Sequence, residues 1–162
     1  MNLVKRLNAQ ETFIMTTTNM SGTPHSHLRL VVDDDPGVLK SIAQILRRIP
    51  GGELLACNNP CQALKIFNAA PESIELLVTD FDMPGLDGMQ LARCVRAGSS
   101  RVQILLISGS EVQATDALSA GVDAFLPKPF SAKDLLATVL GLINQCDGEE
   151  GLPRQQLQSC ES

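Results

Sequence analysis

The sequence predicts an α/β fold, a parallel sheet covered by helices on both faces. Short and almost wholly apolar runs alternate with longer stretches whose apolar residues recur at helical spacing. Helix-starting residues sit where the period changes, and the connections are long enough for crossover helices.

In chain order, Leu28 to Val32 reads as the first strand and Pro36 to Ile49 as the first helix. Asp35 is placed to cap that helix, Pro36 fits its first position, and Val38, Leu39, Ile42, Ile45, Leu46 and Ile49 share one face. Glu53 to Ala56 and Pro60 to Ala69 form the next strand and helix, followed by a strand from Ile74 to Thr79. The helix over Asp87 to Ala97 opens on a capping box, Asp87 with Gln90, and a hydrophobic staple, Leu86 with Leu91. After a strand from Val102 to Ile107, the helix over Glu111 to Ala120 has little to bury beyond Val112, Ala114, Ala117 and Leu118. It should be the most mobile of the helices. Ala124 to Leu126 is the last strand. The last helix runs from Ser131 to Asn144, where Ser131 with Asp134 and Phe130 with Leu135 repeat the box and staple.

A chain of 162 residues is one domain's length, and 44% hydrophobic with 19% charged residues excludes a wholly disordered chain. No apolar run reaches the roughly 20 residues that cross a bilayer, so a soluble protein with no membrane contact is expected. A net charge of -5 and the lack of Trp and Tyr argue against direct nucleic-acid binding. The cysteines at 57, 61, 94, 146 and 160 are odd in number and form no paired CxxC, and the N-terminus carries no secretion-like segment. A reducing cytoplasm fits, with Cys57 and Cys61 as packing residues. Residues 1–27 read as a flexible arm, in which Met15 and Met20 are alternative starts and His25 and His27 lack metal-ligating company. Residues 147–162, with Gly148, Gly151 and Pro153, read as a flexible tail, leaving 28–146 as the folded domain.

Ligands of an open parallel sheet bind beyond the carboxyl ends of its strands. Following the apolar runs there are Asp33, Asp34 and Asp35, then Asp80 with Asp82, then Ser108, then Lys128. Singly each is commonplace: Asp35 suits a helix cap, Ser108 a loop hydroxyl, Lys128 a solvated charge, and Met83 and Met89 core filler. Together they make a site. Two carboxylates about 4 Å apart repel by about 4 kcal/mol at an effective dielectric near 20, so the cluster calls for a cation. Oxygen donors select a hard ion, and Mg²⁺ fits because it keeps several waters and accepts phosphate oxygens. Asp80 is then placed as a nucleophile toward phosphorus, with Lys128, Ser108 and the ion balancing transition-state charge.

Leu30-Val31-Val32-Asp33-Asp34-Asp35-Pro36, Leu77 through Gly88 with its DxxMPxxDG pattern, Ile107-Ser108-Gly109 and Lys128-Pro129-Phe130 carry a resemblance. Over residues 28–146 the chain resembles the receiver domain of two-component response regulators. The resemblance implies a flavodoxin-like sheet of order 2-1-3-4-5. It implies Asp80 as phosphoacceptor, Asp33 and Asp34 as the acidic pair for Mg²⁺, the Asp82 backbone carbonyl as a further metal ligand, and Lys128 as partner of the phosphoryl group. Ser108 and an inward-rotating Phe125 would form the switch that alters the face of the fourth helix, fifth strand and fifth helix. Phe125 stands where Tyr is commoner, so the ring cannot donate a hydrogen bond. The Lys128–Pro129 peptide is cis in much of the family, which would aim the ammonium inward, and Asp82 and Ser110 would flank the path of attacking water.

The implied partners are a sensor histidine kinase or histidine phosphotransfer protein, an unidentified protein target and, through the fourth-helix face, a second copy. A stand-alone regulator with at most weak self-phosphorylation and self-dephosphorylation is the expectation. One alternative is a haloacid-dehalogenase-like phosphatase using Asp80 as nucleophile, since Asp80-Phe81-Asp82, Ser108 and Lys128 suit its first three motifs. It would need an acidic strand downstream of the lysine, where this sequence has an amphipathic helix. The other alternative is a receiver-shaped docking module that is never phosphorylated.

Overall fold

The computed structural model describes residues 27–109 and 114–146. The arm before His27, the tail after Cys146, Ser110 and the start of the expected fourth helix lie outside the described residues.

Five parallel strands, β1 (Leu28–Val32), β2 (Glu53–Cys57), β3 (Ile74–Asp80), β4 (Gln103–Ser108) and β5 (Ala124–Pro127), pair in the order β2-β1-β3-β4-β5. Helices α1 (Pro36–Leu46), α2 (Pro60–Ala69), α3 (Gly88–Gly98), α4 (Ala114–Ser119) and α5 (Ala132–Cys146) make the crossovers and the closing segment. Alternating strand residues build two cores. Val31, Val78, Leu105 and Ile107 pack with Leu39, Ile42 and Leu46 of α1 and Leu135, Val139 and Leu142 of α5. Leu30, Val32, Leu77, Ile104 and Leu106 pack with Ile66 and Phe67 of α2, Leu91 and Val95 of α3, and Ala117 of α4. Strands covered on both faces must be apolar throughout, which is why the runs show no two-residue alternation.

The caps form as their residues predict. Asp35 Oδ1 accepts from the Gly37 and Val38 amides at 2.7 and 3.1 Å. The Asp87–Gln90 box is complete. Ser131 and Asp134 close the same motif at α5, with the Asp134 amide donating to Ser131 Oγ at 3.1 Å and the Ser131 amide to Asp134 Oδ2 at 2.9 Å. These bonds to Ser131 lower the Asp134 pKa from its ordinary 3.8. Asn59 caps α2 in the same way through the Cys61 and Gln62 amides.

Several element ends shift by one to three residues from the sequence reading, and one packing expectation is corrected. Helix α1 stops at Leu46, short of Ile49, because Arg48 and Ile49 bond to carbonyls three residues back and the Ile49 and Pro50 carbonyls turn to Arg29. Ile49 is nonetheless buried. The described part of α4 is short and contributes Ala117 to the core while Leu118 is 60% exposed. Cys57 is buried, but Cys61 lies exposed on the first turn of α2, so a packing role holds for only the first of the pair.

Arg29 is the unexpected element. Although it stands inside an apolar strand, it is 3% exposed. Its Nε donates to Glu75 Oε1 at 2.6 Å, and its terminal nitrogens donate to the carbonyls of Ile49 and Pro50 at 2.8 and 3.0 Å. Gly52 leaves the space, since a Cβ there would stand 2.9 Å from the guanidinium. The contacts tie β1, β3 and the α1–β2 turn together at the amino-terminal edge of the sheet.

Candidate functional site at the carboxyl edge of the sheet

Among the described residues, the buried polar or charged side chains are Arg29, Asp33, Thr79, Asp80 and Ser108. All except Arg29 sit at the carboxyl edge of the central strands. Register explains the gathering: Val32 stands opposite Thr79, Asp80 opposite Ile107, and Ser108 opposite Pro127. Asp33, Asp80, Ser108 and Lys128 therefore leave neighbouring strands at nearly the same height. The Lys128 amide donates to the Ser108 carbonyl at 2.8 Å, and the Phe81 amide to that of Ile107 at 2.8 Å.

Lys128 is the hub. Its Nζ donates to Asp80 Oδ1 at 2.6 Å and stands 3.8 Å from Asp33 Oδ2. The following peptide to Pro129 is cis, in line with the resemblance. Burial disfavours the Lys128 ammonium, but the Asp80 hydrogen bond and the charges of Asp80, Asp33 and Asp82 outweigh it and raise its pKa above the ordinary 10.5.

Asp33 is less well supplied. Its Oδ1 accepts the Asp35 amide at 2.9 Å, while Oδ2 is buried and finds no hydrogen-bond donor among the described residues. Burial pushes its pKa from 3.8 up to about 6, against the pull of the Asp35 amide; Asp80 and Asp34 push the same way as burial, and Lys128 opposes them. A buried carboxylate oxygen without a donor is costly unless something else meets it. That orphaned oxygen, beside an all-oxygen donor set, fits a hard divalent cation such as Mg²⁺. No three His, Cys, Asp or Glu side chains among the described residues form a closed metal cage. Mg²⁺ needs none, since one or two carboxylates and several waters suffice.

The other expected residues are distributed as follows. Asp34 and Asp82 are exposed at the rim, Asp82 within electrostatic reach of Lys128 and Asp34 of Asp33. Ser108 is 1% exposed at the end of β4. Phe125 is half-buried against the core on the α2, α3 and α4 side. Asp35 is spent on its cap. The sequence reading gives no role to Thr79 or Gly88, which enclose the Asp80 carbonyl; the glycine that ends the DxxMPxxDG pattern was the available signal. After Lys128 the described residues form α5 and hold no acidic strand, so the phosphatase arrangement is absent among them.

Comparisons with known proteins agree with this architecture. The family profile of the response regulator receiver domain matches residues 30–140. Response regulator MprA of Mycobacterium sp. strain KMS is 33% identical over 125 residues, covering 75% of this chain and 53% of MprA. Response regulator ARR21 of Arabidopsis thaliana is 29% identical over 128 residues, which are 78% of this chain and 21% of the relative. The chain thus spans about half of one relative and about a fifth of the other. Among solved structures, a response regulator receiver domain protein from Clostridium thermocellum superposes with TM-score 0.69 at 28% identity, covering 75% of this chain and 97% of that one. A Francisella response regulator receiver domain gives TM-score 0.65 at 25% identity, with 74% and 98% covered. By its motifs, strand order and these matches, the chain belongs to the receiver domains of two-component response regulators, signalling domains rather than catalytic enzymes.

Proposed function

We propose that Asp80 accepts a phosphoryl group from a phosphohistidine on a sensor histidine kinase or histidine phosphotransfer protein. The observation that carries this reading is the 2.6 Å pair of the buried Asp80 and the part-buried Lys128 beside the orphaned Oδ2 of Asp33. Asp33, Asp34, Asp80 and the Asp82 backbone carbonyl would hold Mg²⁺, which when bound supplies positive charge to the phosphoryl oxygens.

An Asp80 carboxylate oxygen attacks phosphorus; the new O–P bond forms as the N–P bond breaks and the imidazole leaves. Lys128 passes its hydrogen bond from Asp80 Oδ1 to a phosphoryl oxygen, and the Ser108 hydroxyl turns toward another. A phosphoryl group adds about two negative charges and shifts a two-state element only through contacts that differ between the states. Ser108 and Lys128 make those contacts, and the half-buried Phe125 ring moves in behind Ser108. The face of α4, β5 and α5 then changes and engages a protein target or a second copy; Leu118 of α4 and Leu140 of α5 are the exposed large apolar residues of those helices among the described residues. The domain works in the cytoplasm and loses its phosphoryl group slowly by hydrolysis, at a rate to which Asp82 and Ser110 contribute.

Incubation with Mg²⁺ and acetyl phosphate should add one phosphoryl group by intact mass, and Asp80→Asn should abolish the addition. Labelling that survives Asp80→Asn, or none in the wild type, contradicts the assignment. A receiver-shaped docking module would give the second outcome.

A further inference from the structure

The main-chain carbonyl of Asp80 is enclosed from two sides. A Cβ built on Gly88 would lie 2.1 Å from the Asp80 carbonyl oxygen, 2.9 Å from its carbon and 2.9 Å from Leu106 Cδ1. The first of these is a collision with backbone, which cannot swing aside. Gly88, the first residue of α3, therefore rests a bare Cα on the Asp80 peptide. The Thr79 hydroxyl donates to the same oxygen at 3.0 Å, and Thr79 is wholly buried.

Helix α3 is fixed in this position. The Gly88 amide donates to the Phe81 carbonyl at 3.0 Å, which also accepts from Met83 at 3.1 Å. The Asp87–Gln90 box closes the first turn, and Leu91 and Ala92 are fully buried behind it. The far end of α3 provides a contrast, since a Cβ on Gly98 would meet Phe67 Cε1 at 2.7 Å. That contact is with a ring edge and lies away from the site.

We infer that Gly88 and Thr79 are positioning residues that clamp the Asp80 carbonyl between them and so hold the Asp80 carboxylate in reach of Lys128 and a phosphodonor. Asp80 is the last residue of β3, and the chain turns away immediately after it. The peptide after Asp80 is held at its N–H by the Phe81 bond to the Ile107 carbonyl at 2.8 Å, and Gly88 and Thr79 fix its carbonyl end, whose rotation would swing the carboxylate. A misplacement of about 1 Å costs a reaction on the order of a hundredfold. The inference rests on Asp80 being the phosphoacceptor.

The test compares Gly88→Ala, Thr79→Val and Gly98→Ala in the full chain. Three quantities are read: the rate of phosphoryl addition from acetyl phosphate by intact mass, the thermal midpoint, and the Asp80 carboxyl-carbon resonance in metal-free protein. Gly88→Ala should slow addition about tenfold or more and Thr79→Val several-fold, and both should move the resonance. Gly98→Ala should lower the midpoint while leaving rate and resonance unchanged. Folded Gly88→Ala or Thr79→Val with wild-type rate and resonance overturns the clamp, and so does equal slowing by Gly98→Ala. If circular dichroism finds Gly88→Ala unfolded, Thr79→Val decides alone by the same criteria. An unlabelled wild type sinks the phosphoacceptor reading instead, and the resonance still reports on the clamp.

Discussion

Strands β1 and β3 carry buried charge at both ends, and the two ends treat it differently. At the amino-terminal edge Arg29 is matched throughout: Glu75 takes its Nε, and the Ile49 and Pro50 carbonyls take its terminal nitrogens. Glu75 is satisfied in turn, with His27 Nδ1 3.1 Å from its other oxygen. At the carboxyl edge the Asp33 and Asp80 carboxylates share the single ammonium of the part-buried Lys128, and Asp33 Oδ2 meets no hydrogen-bond donor among the described residues. The first cluster closes the fold. The second gathers buried carboxylates around a single ammonium, the kind of perturbed charge cluster found at functional sites.

The contrast can be broken by mutation. Glu75→Ala strands the Arg29 guanidinium without a counter-charge and should cost about 3–5 kcal/mol in urea unfolding; a loss below about 1 kcal/mol would mean that the amino-terminal cluster does not hold the fold. Asp33→Asn keeps an acceptor for the Asp35 amide but removes the unmatched charge. In metal-free protein at pH 7 it should therefore stabilise by about 1–3 kcal/mol, and destabilisation would remove the distinction between the edges. The same group sharpens the comparison through pH. Asp33 titrates at about 6 in the folded chain against an ordinary 3.8, so between those values the folded chain holds a proton that the unfolded chain releases. Its contribution is complete below about pH 4 and is lost as pH rises through about 6, a decline that unfolding at a series of pH values should find in wild type and not in Asp33→Asn. The smallest effect lies away from both clusters: Ser131→Ala breaks the α5 cap and should cost about 1 kcal/mol.

Much of this was legible in the sequence because the signals are local. Asp35, Asp87 with Gln90, and Ser131 with Asp134 each mark a helix start through partners within a few residues, and all of them form. The edge residues were legible for a related reason: strand ends are readable, and a parallel sheet brings strand ends together. What escaped depends on distant partners. Arg29 inside an apolar run gives no sign that Glu75, 46 residues on, will meet it. Asp33 and Asp34 look equivalent as neighbours, yet the turn from β1 into α1 buries one and exposes the other. Cys61 likewise stands only four residues from Cys57, yet Cys57 ends β2 in the core and Cys61 lies on the first turn of α2, in solvent.

Urea unfolding of wild type and Asp33→Asn, each with and without Mg²⁺ near pH 7.5, tests most directly whether the carboxyl edge keeps its charge for an ion. At ten times its dissociation constant Mg²⁺ should stabilise the wild type by about 1.4 kcal/mol and leave Asp33→Asn unmoved. A wild type indifferent to Mg²⁺, or both proteins stabilised equally, would contradict the account.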